Sequence, residues 1–340
     1  MMNDEDRSFD ELDGYVRQIQ SQTACTASAI YVIHKDNVVH ERYWGRHSEN
    51  PDAREVDERT QFNVASIRKT YLALAISLLI EKGFIAHIDD AITDYLPEYA
   101  SVASGVTLRH LLTHTHGLKI NSKDGLLVKE FEPGSSWAYR NTGIDLLIRL
   151  VRHLSGQPLS AMLQQEWFGP AGLNETGWRT ARDELLIYNY YDSEDNWVGP
   201  NDSGAGDQSN LFVSARELAA MGQLHLHRGK LRKNGERIFP QEVFERILTI
   251  QTPVSVPQSM PRNGFIWWLQ HNTPNNQIGE HLPEGSFQVL GITGCACLVI
   301  PRHEAVVVRM YNQLRNPGDY DYLADIRTFG NIALAAISRL

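Results

Sequence analysis

The stretch FNVASIRKTY, residues 62–71, decides the fold, because it opens the longest apolar run of the chain. From Ser66 to Lys82 the residues favour helix and are apolar on most sides, and Gly83 supplies a stop. This pattern predicts a central, buried helix with Ser66 in its first turn. Residues three positions apart lie on one face of a helix, so Lys69 can reach the Ser66 hydroxyl.

The pairing of Ser66 with Lys69 has two interpretations. The first turn of a helix favours developing negative charge, and a lysine in an apolar interior has a lowered pKa. A neutral amine could then take the proton of an attacking serine. Alternatively, Ser66 only begins the helix and Lys69 points its ammonium group into solvent. The spacing alone leaves both open.

A second stretch, FEPGSSWAYRNTG at residues 131–143, adds a tyrosine and an asparagine on a loop before a helix predicted over 144–154. Tyr139 near a lysine can pass a proton between nucleophile and leaving group, and Asn141 can hold the lysine and a substrate carbonyl. The alternative is that Tyr139 packs and Asn141 caps the next helix.

Composition limits the class of protein. The chain has 340 residues, of which 42% are hydrophobic and 21% charged, typical of a globular protein with a full core. Its formal net charge of -9 gives no electrostatic reason to expect nucleic acid or an anionic membrane as partner. Residues 1–20 are acidic and then amphipathic, unlike a secretory signal, so a cytoplasmic location is predicted. The longest apolar run, around YLALAISLLI, has about half of the roughly 20 residues that cross a bilayer, so no membrane span is predicted.

The ends of the chain predict a sheet. A first helix over about 9–21 precedes two strand-like runs around a turn at residues 35–37, and further strand-like runs and a closing helix fill the C-terminal region. The predicted fold class is α/β of the α+β type, an antiparallel sheet flanked by helices with a mostly helical second lobe. The sequence predicts a single domain over residues 1–340. Its sheet lobe consists of about 1–85 and 260–340, and its mostly helical lobe consists of about 86–259.

Helix starts in the middle of the chain are marked by capping residues. Thr107 is a predicted N-cap, and Ser214 with Glu217 forms a predicted capping box. The stretch 192–210, rich in Asp, Asn, Gly and Ser, is predicted to be a mobile loop by the cleft.

The cysteines and histidines favour packing over metal binding. Cys25, Cys295 and Cys297 suit reduced thiols, and the last two alternate along a predicted strand and would share a face. His114 and His116 are two positions apart, a spacing that points helical side chains in different directions. No metal and no cofactor are expected.

Together these stretches resemble one family: the serine hydrolases related to class C beta-lactamases and penicillin-binding proteins, a CubicO-type group that includes esterases and amidases. The resemblance covers most of the chain. It is carried by SIRK (66–69), LRHLLTHTHGL (108–118), PGSSWAYRNTG (133–143), LFVSARELAAMGQLHLHRGK (211–230) and GITG (291–294).

The resemblance implies a beta-lactamase/DD-peptidase-like fold of two lobes. It also implies that Ser66 is the acylated nucleophile, that Lys69 and Tyr139 handle the proton, and that Asn141 is a polar contact. The oxyanion hole would consist of the backbone N–H groups of Ser66 and Cys295.

GITG departs from the family pattern, which usually has Lys or His, then Thr or Gly, then Gly. Ile292 stands at the first position, Thr293 keeps a hydroxyl at the second, and Gly294 matches the third. In relatives that act on penicillins or D-Ala-D-Ala peptides, the first two positions help to hold the substrate carboxylate. Ile292 removes such a charge-assisted contact and disfavours small anionic substrates, although Arg140 could supply a cation from the other side.

The sequence therefore predicts a serine hydrolase that cleaves a small ester or amide through an acyl-enzyme, with an esterase favoured and a small ester, amide or lactam as its partner. Two alternatives stay open: beta-lactamase or D-aminoacyl peptidase activity, and a catalytically silent ligand-binding member of the fold. Four tryptophans either line an apolar cleft or pack elsewhere, namely Trp137, Trp197, Trp267 and Trp268.

Overall fold

The fold is taken from a computed structural model of the protein. The structure describes residues 9–187, 202–231, 234–271, 274, 276–313 and 318–340. Of the loop predicted at 192–210, residues 192–201, including Trp197, lie outside the described residues.

The strands of the described part form three sheets. In chain order they are β1 Ala27–His34, β2 Asn37–Gly45, β3 Gln61–Asn63, β4 Leu118–Ile120, β5 Leu127–Lys129, β6 Thr176–Trp178, β7 Leu211–Ser214, β8 Trp268–Leu269, β9 Phe287–Leu290, β10 Ala296–Ile300 and β11 Ala305–Tyr311. The largest sheet is antiparallel in the order β2-β1-β11-β10-β9-β8, and the smaller ones are β3-β7-β6 and β4-β5. Because β1 pairs with β11, the two ends of the chain build one sheet, as the sequence predicts.

The described part also contains α-helices. In chain order they are α1 Asp10–Gln22, α2 Arg68–Glu81, α3 Ile92–Tyr95, α4 Leu108–Leu112, α5 Asn141–Ser155, α6 Leu159–Leu163, α7 Gly169–Ala171, α8 Ala215–Leu226, α9 Gln241–Leu248 and α10 Tyr322–Ile337. A 3₁₀ turn, Ala65–Ile67, leads into α2. No helix of the described ranges is long and apolar enough to cross a bilayer.

Strands β1, β9, β10 and β11 of the large sheet are buried on both faces, and side-chain alternation divides their residues between two apolar layers. In β1, Ala29, Tyr31 and Ile33 belong to the layer under α8, whereas Ile30 and Val32 belong to the layer under α1 and α10. Burial on both faces is why these strands consist of nearly continuous apolar runs. The division of the chain into lobes stays a prediction.

The predicted N-caps of α4 and α8 are both found, but the predicted capping box of α8 is incomplete. Thr107 caps α4 and forms a reciprocal capping box with His110. Ser214 accepts the Glu217 N–H, but the Glu217 carboxylate does not return to the cap. It accepts hydrogen bonds from backbone N–H groups ahead of β6 and from the Thr176 hydroxyl at 2.6 Å, because a tertiary contact outweighs the local one.

Helix α2 lies at the centre of the molecule, as predicted. It packs against α5 and α9, and nearly all its side chains are buried. The predicted start at Ser66 is a 3₁₀ turn, and regular α-helix begins at Arg68. Burial all round explains the apolar character of this segment on every side, and it draws Lys69 into the interior.

Candidate active site

A tight turn places Ser66 at the end of β3. Ala65, just before it, has a φ of +46°, in the left-handed region that costs energy for a residue with a side chain. The Asn63 side chain holds this turn by accepting the Ala65 N–H at 2.8 Å. The first N–H group that donates a hydrogen bond within the 3₁₀ turn is that of Ile67. The Ser66 N–H comes one residue earlier, so the turn does not use it as a donor.

Lys69 lies between the two hydroxyl groups predicted to act with it. Its Nζ is 3.0 Å from Ser66 Oγ and 2.5 Å from the Tyr139 hydroxyl, and the side chain is 2% exposed. Burial lowers the pKa of Lys69 to about 7, helped by the positive charge of Arg68 and opposed by Asp145. A substantial fraction of the amine is therefore neutral at neutral pH. The burial of the side chain excludes the alternative of an ammonium group in solvent.

Arg68 also lowers the pKa of Lys69, a role that the sequence did not predict. Its guanidinium is buried beside Lys69, and its Nε donates to Ser209 Oγ at 3.1 Å. Burial is the largest cause of the lowered pKa of Lys69, in agreement with the apolar interior that the sequence predicts around it. Arg68, directly before Lys69 in the sequence, supplies a positive neighbour as well.

Tyr139 faces Lys69 with its hydroxyl and the cleft with its ring, which is 39% exposed. Burial of the hydroxyl raises its pKa above the usual value, although Ser66 and Arg68 oppose the shift. The pKa changes of Lys69 and Tyr139 both favour the uncharged forms. At neutral pH the phenol is therefore neutral, and the amine is neutral in a substantial fraction of the molecules.

His114, which the sequence predicts to pack and not to bind a metal, lies against Tyr139. Its ring is buried, 4.6 Å from the Tyr139 ring between centroids, and its carbonyl accepts the Ala138 N–H at 3.0 Å. Burial, with the charge of Lys69, holds the pKa of His114 well below its usual value. The imidazole is neutral and packs as a ring, which excludes His114 as a cation in the site.

Asn141 is not brought together with Lys69. It is the exposed first residue of α5, and within the described ranges its side chain makes no hydrogen bond to Lys69 or Ser66. The N-cap position belongs to Arg140, whose guanidinium pairs with Glu130 at 2.8 and 3.0 Å. The contact implied for Asn141 stays a prediction.

The GITG segment reaches the site at the start of β10. The Thr293 hydroxyl is buried and donates to the Asn63 carbonyl at 2.8 Å, so it ties this segment to the Ser66 turn. Gly294 has a φ of +85°, and a Cβ there would lie 2.6 Å from the Tyr311 ring. Only glycine fits this position. Cys295 follows with a buried thiol that donates to the Tyr311 carbonyl at 3.4 Å.

A cleft of about 440 Å³ opens over Ser66. Its described lining is neutral and mostly apolar, consisting of Ser66, Trp137, Tyr139, Trp268, Gln277, Leu290, Ile292 and Tyr322. Trp137 and Trp268 lie with ring centroids 5.6 Å apart, whereas Trp267 is fully buried in the core. Ile292 is 59% exposed at this cleft.

The cysteines of the sheet are packed thiols. Cys295 and Cys297 lie in the same apolar layer, as their alternation predicts, and burial raises the pKa of Cys297 to about 12. In the ranges that the structure describes, no group of three or more His, Cys, Asp or Glu side chains is placed to hold a metal ion.

Comparison with known proteins identifies the family of the chain. Residues 12–330 match the family model described as Beta-lactamase. An uncharacterized protein of Alkalihalophilus pseudofirmus is 40% identical over 97% of this chain and 96% of its own length. Esterase EstB of Burkholderia gladioli is 27% identical over 54% of this chain and 55% of the esterase.

Solved structures show the same fold at lower identity. A class C beta-lactamase superposes with a TM-score of 0.78, covering 100% of this chain and 98% of the other at 16% identity. The predicted fold class is thereby confirmed. The chain belongs to the beta-lactamase family, and this membership indicates a serine hydrolase.

Proposed function

We propose that this protein hydrolyses small, uncharged esters through an acyl-enzyme on Ser66, with amides as weaker substrates. The observation that carries the proposal is the buried Lys69 amine, 3.0 Å from Ser66 Oγ and 2.5 Å from the Tyr139 hydroxyl. A lysine with a pKa of about 7 is a usable base near neutral pH.

The acylation step follows from this arrangement. Neutral Lys69 accepts the Ser66 proton as Oγ attacks the substrate carbonyl carbon, and the carbonyl oxygen takes up the negative charge. The N–H groups of Ser66 and Cys295 are the proposed donors to that oxygen. As the tetrahedral intermediate collapses, the Tyr139 hydroxyl protonates the leaving alkoxide and regains a proton from Lys69. Water then attacks the acyl-enzyme carbonyl and gives up a proton to the Lys69 and Tyr139 pair. The pair returns a proton to Ser66 Oγ as the acid product leaves.

The preference for uncharged esters rests on the cleft. Its described lining offers aromatic and aliphatic surface and contains no charged side chain. Arg140, the alternative source of a cation, is paired with Glu130. A substrate carboxylate would lose its water without gaining a partner from the described residues, which is unfavourable. The similarity to Esterase EstB agrees with this preference.

Labelling of the nucleophile is the first test. Intact-protein mass spectrometry after exposure to a fluorophosphonate is expected to show one phosphonyl adduct on the wild type and none on Ser66→Ala. The second candidate, a silent ligand-binding protein, predicts no adduct on folded wild type, and ligands would then only raise its melting temperature.

Substrate preference is the second test. Wild type is expected to hydrolyse a p-nitrophenyl ester faster than nitrocefin, and the reverse order would favour the beta-lactamase alternative. Ile292→Lys restores a cation at the cleft and is expected to raise nitrocefin hydrolysis by roughly tenfold, since a hydrogen bond to a charged group contributes about 1.5–3 kcal/mol. Ile292→Leu, which changes shape without charge, is the matched control.

A further inference from the structure

The sheet face opposite α8 contains a fully buried ion pair between β11 and α10. The Arg309 guanidinium and the Asp325 carboxylate meet in a bidentate contact of 2.8 and 2.5 Å, and Arg309 is 0% exposed. Tyr15 of α1 donates to the same carboxylate at 2.9 Å, and Tyr320 donates to it as well. The pair therefore links both terminal helices to the sheet.

The third edge of the guanidinium points toward the active site. Arg309 Nε donates to the Gly294 carbonyl at 3.2 Å. With two N–H groups on Asp325 and one on this carbonyl, the orientation of the guanidinium plane is fixed. Its face packs on Phe329 at 4.7 Å from the ring centroid, so the guanidinium is confined on this side as well.

The Gly294 carbonyl and the Cys295 N–H belong to one planar peptide unit. Fixing the carbonyl therefore fixes the direction of the N–H, which points to the opposite side of the chain. The Tyr311 ring bounds the same unit, since a Cβ on Gly294 would meet it at 2.6 Å. The Cys295 thiol adds a contact to the Tyr311 carbonyl.

We propose that Arg309 is a positioning residue for the oxyanion hole: through the Gly294 carbonyl it aims and polarises the Cys295 N–H at the negative charge that forms on the substrate. This inference rests on the proposed hydrolase function. Hydrogen bonds in a chain polarise one another, and a charged donor on the carbonyl makes the N–H of the same amide a stronger donor.

The expected effect is a loss of rate without loss of binding. Removal of an oxyanion-hole donor typically costs about 10²–10³ in kcat. Misaiming and weakening that donor is a smaller perturbation, so we expect kcat to fall by roughly 10- to 100-fold. KM should stay within about twofold, because the ground-state substrate carries little charge on this oxygen.

The test uses Arg309→Met/Asp325→Leu, which replaces the whole buried pair with apolar side chains instead of leaving one charge unpaired. Its kcat, KM and rate of fluorophosphonate labelling are measured beside wild type. The pH midpoint of its activity should stay at that of wild type, because Lys69 is untouched. Arg216→Met, which removes the arginine that pairs with Glu175 away from the cleft, is the matched control and should keep wild-type kcat.

A spectroscopic readout separates positioning from general destabilisation. With isotopically labelled cysteine, assigned through Cys295→Ser, the Cys295 amide proton signal should move upfield when the Arg309 contact is lost. If the double variant does not fold, Arg309→Lys takes its place; it retains charge next to Asp325 but lacks the planar three-edged donor, so kcat and the Cys295 signal should still change.

A folded Arg309 variant with wild-type kcat, wild-type labelling rate and an unchanged Cys295 signal would overturn the inference. Failure of the proposed function looks different, because wild type itself would then show no labelling that depends on Ser66.

Discussion

Lys69 and Arg309 are both buried cationic side chains, but their partners differ. Lys69 is placed between two hydroxyl groups, and Arg309 forms a bidentate contact with Asp325. The pKa of Lys69 falls to about 7, whereas the charge of Arg309, together with hydrogen bonds, lowers the pKa of Asp325 although burial alone would raise it.

The difference shows that the chemistry of a buried cationic group and its hydrogen-bond partners together limit what the group can do. An amine can lose its proton and become neutral, so burial without a carboxylate turns Lys69 into a proton acceptor. A guanidinium does not lose its proton in proteins, so Arg309 requires a buried counterion and can act only as a fixed donor. In the proposals made above, the first site serves proton transfer and the second serves positioning.

Replacing the lysine at position 69 with arginine should have the largest effect on activity. Lys69→Arg keeps the positive charge but cannot accept a proton, and we expect kcat/KM for a p-nitrophenyl ester to fall by about 10³ or more. Steady-state kinetics of the purified variant measures this. Turnover equal to wild type in Lys69→Arg would show that Lys69 is not the base.

Leaving the second cation unpaired should mainly affect stability. Asp325→Asn leaves Arg309 buried without a counterion, and we expect the free energy of unfolding to fall by about 3–5 kcal/mol in urea titrations. Glu81→Gln, which removes the partner of the partly exposed Arg246, should cost less than about 1 kcal/mol. Equal losses in the two variants would contradict the assigned role of burial.

Removing the amine of Lys69 should raise the free energy of unfolding, in contrast to the loss expected for Asp325→Asn. Lys69→Met ends the cost of burying an amine, and we expect the free energy of unfolding to rise by about 1–2 kcal/mol at pH 7. Because the folded pKa of Lys69 is lowered to about 7, wild type bears the full cost below pH 7 and regains stability as pH rises toward the unfolded value. The advantage of Lys69→Met should therefore shrink in alkaline solution. Lower stability of Lys69→Met at pH 6 would count against this.

The smallest expected effects are shifts of the pH profile. Activity should rise through a midpoint near pH 7 as Lys69 loses its proton and then level off. Arg68 lowers this pKa and Asp145 raises it, so Arg68→Gln should move the midpoint up and Asp145→Asn should move it down. Initial rates across pH measure both shifts, and movement in the same direction would exclude a simple electrostatic origin.

Much of this site was predictable from local patterns. The three-residue spacing of Ser66 and Lys69 and the loop with Tyr139 identified the three groups that the structure brings within hydrogen-bonding distance. The hairpin at residues 35–37 and the caps at Thr107 and Ser214 were equally local, since short-range sterics and hydrogen bonds decide them.

Contacts between distant segments were not predictable in the same way. The sequence places Glu217 in a capping box, but its carboxylate binds the segment before β6. Asn141 lies exposed at the start of α5 and makes no hydrogen bond to Lys69 in the described part, so the polar contact implied for it stays a prediction. The Thr293 hydroxyl donates to the Asn63 carbonyl, a contact that the sequence did not predict, and its contact with substrate stays a prediction. Each outcome depends on which neighbour the fold brings close.

The sequence by itself determined the sheet built from both ends, the buried central helix and the family resemblance, because periodicity and residue spacing act along the chain. Only the tertiary structure decided that Arg68 and burial lower the pKa of Lys69, and that Arg309 reaches the peptide before Cys295. The physical reason is that desolvation and charge act through space over a few ångströms, so they depend on which segments the fold packs around a group and not on spacing along the chain.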